Sequence, residues 1–326
     1  MKAFKGVVAV LYLVALIPFL AWWQGVINNV RTREHHYEME FEVTPIEFLG
    51  SGMIGGFRGL MINYLWIKVI GLEQQHKYFE VSALVELIQK LQPNIASTWS
   101  FNSWNMAYNI STDYRSAEAK WRWILQGIHV IEEGIGRIPD SAELWHKAGW
   151  LYYDKISNPS NEHALYFQKM TEEKQLQKRK EALEAGRKFD QPVYALALAY
   201  QDFKRAAQLK QHPTVSERTL ECLPFYASVR GVRYFLLMKR PAEVAEGLKF
   251  LDIAIKEFRE LAGKYSSDEF EGVYNQARDL MNYIEEGVQR YPDHVAEFEQ
   301  ATDQIDQIFR DARIREDKIR VKQFAP

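Results

Sequence analysis

Cysteine is almost absent from this sequence: Cys222 stands alone among 326 residues. That excludes an intrachain disulfide framework and any cysteine-cluster metal or iron–sulfur site. With no Cys-x-x-Cys-His, it also excludes a covalently held c-type haem. A surplus of one charge is lacking as well. Lysine and arginine number 41 against 43 aspartate and glutamate, for a net charge of -2. A nucleic-acid partner would need a basic surplus, so none is expected. At 47% hydrophobic, the chain is long and apolar enough to bury a large core, which argues against disorder as its main state. Catalytic signatures are missing too. There is no H-E-x-x-H, no G-x-x-x-x-G-K-[ST] and no G-x-S-x-G, so neither enzymatic activity nor a cofactor is expected. Cys222, close to Pro224 on an apolar segment, reads as a small buried hydrophobe.

Tryptophan is missing from residues 151–326, although nine occur before that point. Charge runs the other way, with 27 acidic and basic side chains in residues 1–150 and 57 in 151–326. Composition alone therefore suggests a division near Trp150.

What is present begins with a membrane-anchor signature. Lys2 and Lys5 precede 25 uncharged residues, Gly6 to Val30, enough to cross about 30 Å of hydrocarbon as a helix. Trp22 and Trp23 sit near its far end, where indole rings favour the interface. A cleaved signal peptide is the rival. Its small-x-small cleavage pattern is poor, because Phe19 stands where Ala21 would need a small partner. The lysines before the span place the N-terminus inside and the main domain outside the cytoplasm of a bacterial inner membrane, crossed once.

Residues 37–43, Tyr-Glu-Met-Glu-Phe-Glu-Val, alternate apolar and acidic and read as a short half-buried strand. Gly50-Ser51-Gly52-Met53-Ile54-Gly55 then matches G-x-G-x-x-G, with Glu73 18 residues after Gly55. A nucleotide fold needs repeated βαβ units, and the rest of the chain shows almost no strand pattern. Helix packing explains the glycines better. Gly52 with Gly56, and Gly55 with Gly59, lie four apart on one face, where another helix can approach closely. Arg58 and Lys68 interrupt the apolar run that follows, which suits a helix at the membrane surface rather than a second span.

From about residue 52 the apolar spacing is helical. Leu84, Leu87, Ile88 and Leu91 form a stripe before Pro93-Asn94, and Ile124, Ile128 and Ile131 another before Pro139-Asp140. Tyr283, Ile284 and Val288 precede Pro292-Asp293. Proline stops each helix, and Asn or Asp can cap the next. Asp140 with Glu143 has the spacing of a capping box. Trp145-x-x-Ala148-Gly149-x-x-Tyr152 resembles the first helix of a tetratricopeptide repeat, in which small residues admit the partner helix and aromatics flank them. Trp99 stands six residues after Pro93, as Trp145 does after Pro139. The second-helix positions expected after Tyr152 fall on Asn161, Leu165 and Gln168 and do not fit, which points to an insertion around Asn158-Pro159-Ser160. More broadly, the run Trp99–Ile110, Trp121-Arg122-Trp123, Leu151–Ile156 and Gly55–Leu60 resemble a family of bacterial membrane-anchored proteins of this repeat type. The resemblance bears on architecture rather than on biochemistry.

Candidate binding residues are few. Asn102, Asn105 and Asn109 share one helix face, where their amides suit either a peptide backbone in a groove or buried carbonyls. Trp99, Phe101, Trp104 and Tyr108 read as packing between helices. His35-His36 lacks the three or four convergent ligands of a metal site. Residues 169–190 form a charged helix, and Arg310 to Lys322, with six basic and three acidic residues, reads as a frayed helical end.

The expected molecule is all-α: an anchor at 1–30, a linker at 31–51, repeat-like helix pairs at 52–156, and a charged continuation of the array over 157–326. Its expected work is non-catalytic recruitment or assembly of other proteins, for instance a large extracytoplasmic redox or cell-envelope complex. A permanent structural subunit and a nucleotide-dependent enzyme using Gly50–Gly55 are the alternatives.

Overall fold

The computed structural model describes residues 55–238 and 243–323. The apolar stretch 6–30, the alternating stretch 37–43, His35-His36 and Gly52 lie outside the described residues. Among the described residues there is no strand, and the all-α class holds. No described helix is long and apolar enough to cross a membrane. The residues form two compact units, one ending at Thr98 and the other beginning at Trp99. The division lies far upstream of the composition change at Trp150.

In the first unit, α1 (Gly55–Gln74) and α2 (Tyr78–Leu91) pack on each other. Arg58, near the start of α1, donates to the Leu91 carbonyl at the end of α2, so the two run antiparallel. Ile62, Leu65 and Val69 are buried on α1, and Val81, Val85 and Ile88 on α2. The buried face of α2 is thus rotated from the predicted stripe. Ile88 is inside, but Leu87 is exposed and Leu84 and Leu91 are half-buried. The β-branched residues pack against α1, and the leucines flank them. The far side of α1 is also apolar, with Leu60 (65% exposed), Tyr64, Ile67 (69%) and Ile70 bare. Gly55 and Gly56 open α1. Gly59 has no neighbour within 4 Å of where a Cβ would sit, so among the described residues it packs against nothing.

The second unit holds α3 (Ala96–Trp104, which begins just before the division), α4 (Ala117–Arg137), α5 (Ala142–Trp150), α6 (Ala164–Glu184), α7 (Ala195–Leu209) and α8 (Glu217–Val232). It continues through α9 (Val244–Lys264), α10 (Glu271–Arg290) and α11 (Val295–Gln323). Helices α2, α4 and α10 each end two residues before Pro93, Pro139 or Pro292, as proline's missing N–H requires. Starts are set by serine. The Oγ atoms of Ser116, Ser141 and Ser216 accept from Ala119, Leu144 and Thr219 N–H. The predicted cap at Asp140 is therefore displaced by one residue. Asp140 turns outward instead and pairs with Arg205 of α7 at 3.2 Å.

Pairing explains why the repeat pattern fades after Tyr152. Helix α5 packs against α7, with much less contact to α6, so α6 is an insertion between two partners. The expected second-helix positions Asn161, Leu165 and Gln168 belong to that insertion. Helix α8 pairs with α9, and α10 with α11; α7 packs on α8 and α9 on α11, so the core runs on without a break at residue 156. Phe225, Phe235, Phe258 and Phe298 are fully buried in it. Pro292 heads the second helix of its pair, unlike Pro93, Pro139 and Pro213, which precede first helices. The basic end of α11 is docked rather than frayed at Arg315 and Glu316. Arg315 donates to the carbonyls of Ala262 and Tyr265, and Glu316 accepts from Ser267 N–H at 2.6 Å.

Candidate protein-binding face

Three helices end in the same unusual way. Helices α3, α5 and α8 run directly into π-helical stretches, Asn105–Asn109, Leu151–Ile156 and Arg233–Met238. The wider turn rotates the following side chains relative to an α-helix, and such turns concentrate where a helix must present residues out of register. Two residues before each stretch stands a small residue: Ser103, Gly149 and Gly231. A Cβ on Gly149 would lie 2.6 Å from Phe203 Cδ1 on α7, and one on Gly231 would lie 2.4 Å from Phe250 Cδ1 on α9. In the first pair the glycines sit on the partner helix. A Cβ on Gly127 would lie 2.7 Å from the Ser103 carbonyl oxygen, and one on Gly134 2.8 Å from Trp99. These contacts draw each pair together and hold its π-helical end in place.

The sequence-selected packing residues lie within this framework. Trp99, Ala148 and Tyr152 are buried, and Gly149 faces Phe203. Trp145 is half-buried, with its indole N–H donating to Pro139 O at 2.7 Å; it and Trp99 are each the fourth residue of their helix. Trp104 is half-buried and stacks on Tyr108 with ring centroids 3.8 Å apart. Asn102 and Asn105 are fully buried, and Asn109 donates to Asn105 Oδ1 at 3.0 Å. Of the three amides, Asn109 alone retains appreciable exposed surface, so they do not form a groove lining.

The side chains that do reach the surface here are cations seated on rings. Lys147 Nζ lies 4.5 Å from the Trp104 ring centre and Lys155 Nζ 4.9 Å from that of Tyr108. The Arg230 guanidinium lies 3.5 Å from the Tyr153 ring and donates to the Tyr153 carbonyl at 2.6 Å. Exposed Arg233 lies 5.9 Å from the Tyr283 ring. Ring faces hold a cation without neutralising it. Asp154 accepts from Tyr108 Oη at 2.9 Å and from Asn158 Nδ2 at 3.2 Å, bracing the lysine row. Partial burial, helped by nearby Lys120, lowers Lys155 to about 8, and burial also lowers Lys147. Burial and the Asp154 carboxylate raise Tyr108 far above the ordinary phenol range.

Beside Arg230 and Arg233 opens a cavity of about 380 Å³ bounded by Leu165, Gln168, Tyr234 and Met238. Leu165 and Met238 are exposed at its rim. The arrangement offers positive charge next to an apolar recess, and no activated nucleophile. Cys222 is buried, and burial pushes its thiol up to about 12. No cluster of three metal-ligating side chains occurs among the described residues.

Sequence reasoning passed over Lys147, Lys155, Arg230 and Arg233, because isolated cations on a helix ordinarily face water. One available signal was Gly231-x-x-Tyr234, which repeats Gly149-x-x-Tyr152 and marks α8 as the counterpart of α5. No protein-family model matches the chain, and no curated protein matches it.

Proposed function

We propose that this chain is a membrane-anchored, non-catalytic scaffold whose helix pairs, of tetratricopeptide-repeat type, hold an acidic segment of a partner protein. The row of ring-seated cations carries this reading: Lys147, Lys155, Arg230 and Arg233, drawn from α5 and α8 with their π-helical extensions. Partly desolvated cations bind carboxylates more strongly than fully hydrated ones. The neighbouring recess at Leu165 and Met238 accepts an apolar anchor from the same segment. Attachment through residues 6–30 would keep the partner at the outer face of a bacterial inner membrane, with the N-terminus inside. A redox or cell-envelope complex suits that location.

The test is gentle detergent extraction of the full chain and quantitation of co-purifying proteins. A charge-reversed variant, Arg230→Glu with Arg233→Glu, should lose a stoichiometric partner that the wild type retains. Complete absence of a partner from the wild type would sink the scaffold reading.

The bare apolar face of α1, with Leu60, Tyr64, Ile67 and Ile70, favours a second reading as a permanent structural subunit. Residues 31–326 expressed without the apolar stretch separate the two. A recruiter elutes as a monomer in size-exclusion chromatography, whereas a permanent subunit aggregates.

A further inference from the structure

A second cavity, of about 390 Å³, lies away from the cationic row, between α4, α5, α6 and α7. Its walls are largely apolar, from Ile128, Ile131, Trp145 and Leu198. That size falls within the range of small-molecule sites. Its polar groups are arranged unlike those of a solvated surface. Asp202 lines the cavity with only 9% of its surface exposed, and no cation partners it. Gln175, 2% exposed, lines it too, and its side-chain carbonyl accepts no hydrogen bond. Buried polar groups are normally satisfied, and each one left without a partner is costly. The Gln175 carbonyl therefore leaves a place for a donor on the same cavity that the Asp202 carboxyl lines.

We propose that this cavity is a binding site for a small primary amine with a flat apolar body. The ammonium is received by the Asp202 carboxylate and the Gln175 carbonyl, and the body lies against Trp145 and the isoleucines. Acceptors outnumber donors on the wall. Glu132 adds another carboxylate, already engaged by Lys178 at 3.6 Å. An ammonium supplies three donors and a full charge, which a neutral hydroxyl does not.

Burial, reinforced by Glu132, raises the Asp202 carboxyl above the ordinary carboxylate range. The charged groups around the cavity are Glu132 on α4 and Lys174 and Lys178 on α6, with the Tyr152 hydroxyl on the π-helical stretch after α5. An arriving ammonium favours the ionised carboxylate.

Titration calorimetry of the full chain in mild detergent, with tyramine and its neutral isostere tyrosol, tests this. Tyramine should bind about tenfold or more tighter than tyrosol. Asp202→Asn, which preserves volume, should abolish the preference. Equal affinity for the two ligands, or no tyramine binding up to millimolar concentration, would each overturn the proposal. The comparison of the two ligands uses the wild type alone, so it decides the matter even if the variant fails to fold.

Discussion

The α5–α7 and α8–α9 pairs are built alike from unlike residues. In both, a glycine two residues before a π-helical stretch receives the ring of a phenylalanine from the partner, and a tyrosine follows three residues later. The first pair surrounds this contact with His146, Trp150 and Tyr153, and a whole helix is inserted before the partner arrives. The second has Phe235 stacked on Phe250 at 5.4 Å and connects almost directly. The loss of tryptophan after residue 150 is thus a change of filling material. What recurs is the close approach, and glycine enforces it in both places. A third instance closes the array, where a Cβ on Gly287 would lie 2.8 Å from Phe298.

The largest effect should come from emptying the two contacts. Phe203→Ala and Phe250→Ala should each lower stability by about 3–5 kcal/mol, read from urea midpoints. If only one does so, the two pairs are not equivalent. Filling the contact from the other side comes next. Gly149→Ala and Gly231→Ala force a methyl into an aromatic ring and should cost about 1–3 kcal/mol each. Phe203→Leu and Phe250→Leu should each recover part of that loss in the matching double variant.

Acid should then separate the pairs. Burial first, with His212 and Lys147 adding to it, lowers His146 to about 4. His212 is also lowered, chiefly by burial, and its Nδ1 accepts from Thr214 and Val215 N–H, which requires that nitrogen to stay unprotonated. The unfolded chain protonates His146 near pH 6.5 and the folded one only near 4. Stability contributed by the neutral rings is full above pH 6.5, falls as pH drops toward 4, and levels off below. A loss of about 3 kcal/mol is expected across that window. The α8–α9 pair has no histidine, and its Glu221, paired with Lys264, gives up its contribution only below the ordinary carboxylate range. His146→Gln should flatten the curve of thermal midpoint against pH, and an unchanged curve would remove His146 as its cause.

Much of this was legible in sequence, for reasons particular to the residues. Proline stops, the Ile124-Ile128-Ile131 stripe and the shared placement of Trp99 and Trp145 depend on local chemistry, and the structure keeps them. Positions that depend on a distant partner were harder. Leu87 and Val85 are equally apolar, and only the location of α1 decides which is buried. Asp140 and Ser141 are both good caps, and Arg205, some sixty residues away, claims the aspartate. Asn102 and Asn105 carry the right groups for a groove but face the interior, while the ring-seated cations become visible only once α3, α5 and α8 lie side by side. Cavity-facing Asp202 and Gln175 come from α7 and α6, whose relation the insertion hides.

The smallest expected effect has the opposite sign and guards against a trivial explanation. Alanine is a better helix former than glycine by about 0.5–1 kcal/mol, so replacing a helical glycine should stabilise unless something occupies the space. Gly263 lies on α9, in the same pair as Gly231, and no atom stands within 4 Å of its would-be Cβ. Gly263→Ala should raise the urea midpoint slightly, by no more than about 0.5 kcal/mol so close to the helix end. If it instead destabilises as Gly231→Ala does, glycine matters here for backbone freedom, and the close approach of Phe250 to Gly231 is not what sets the pair. If the signs differ as expected, the cost at Gly231 belongs to the ring. The same comparison holds at Gly149, where the Phe203 ring takes the place of Phe250.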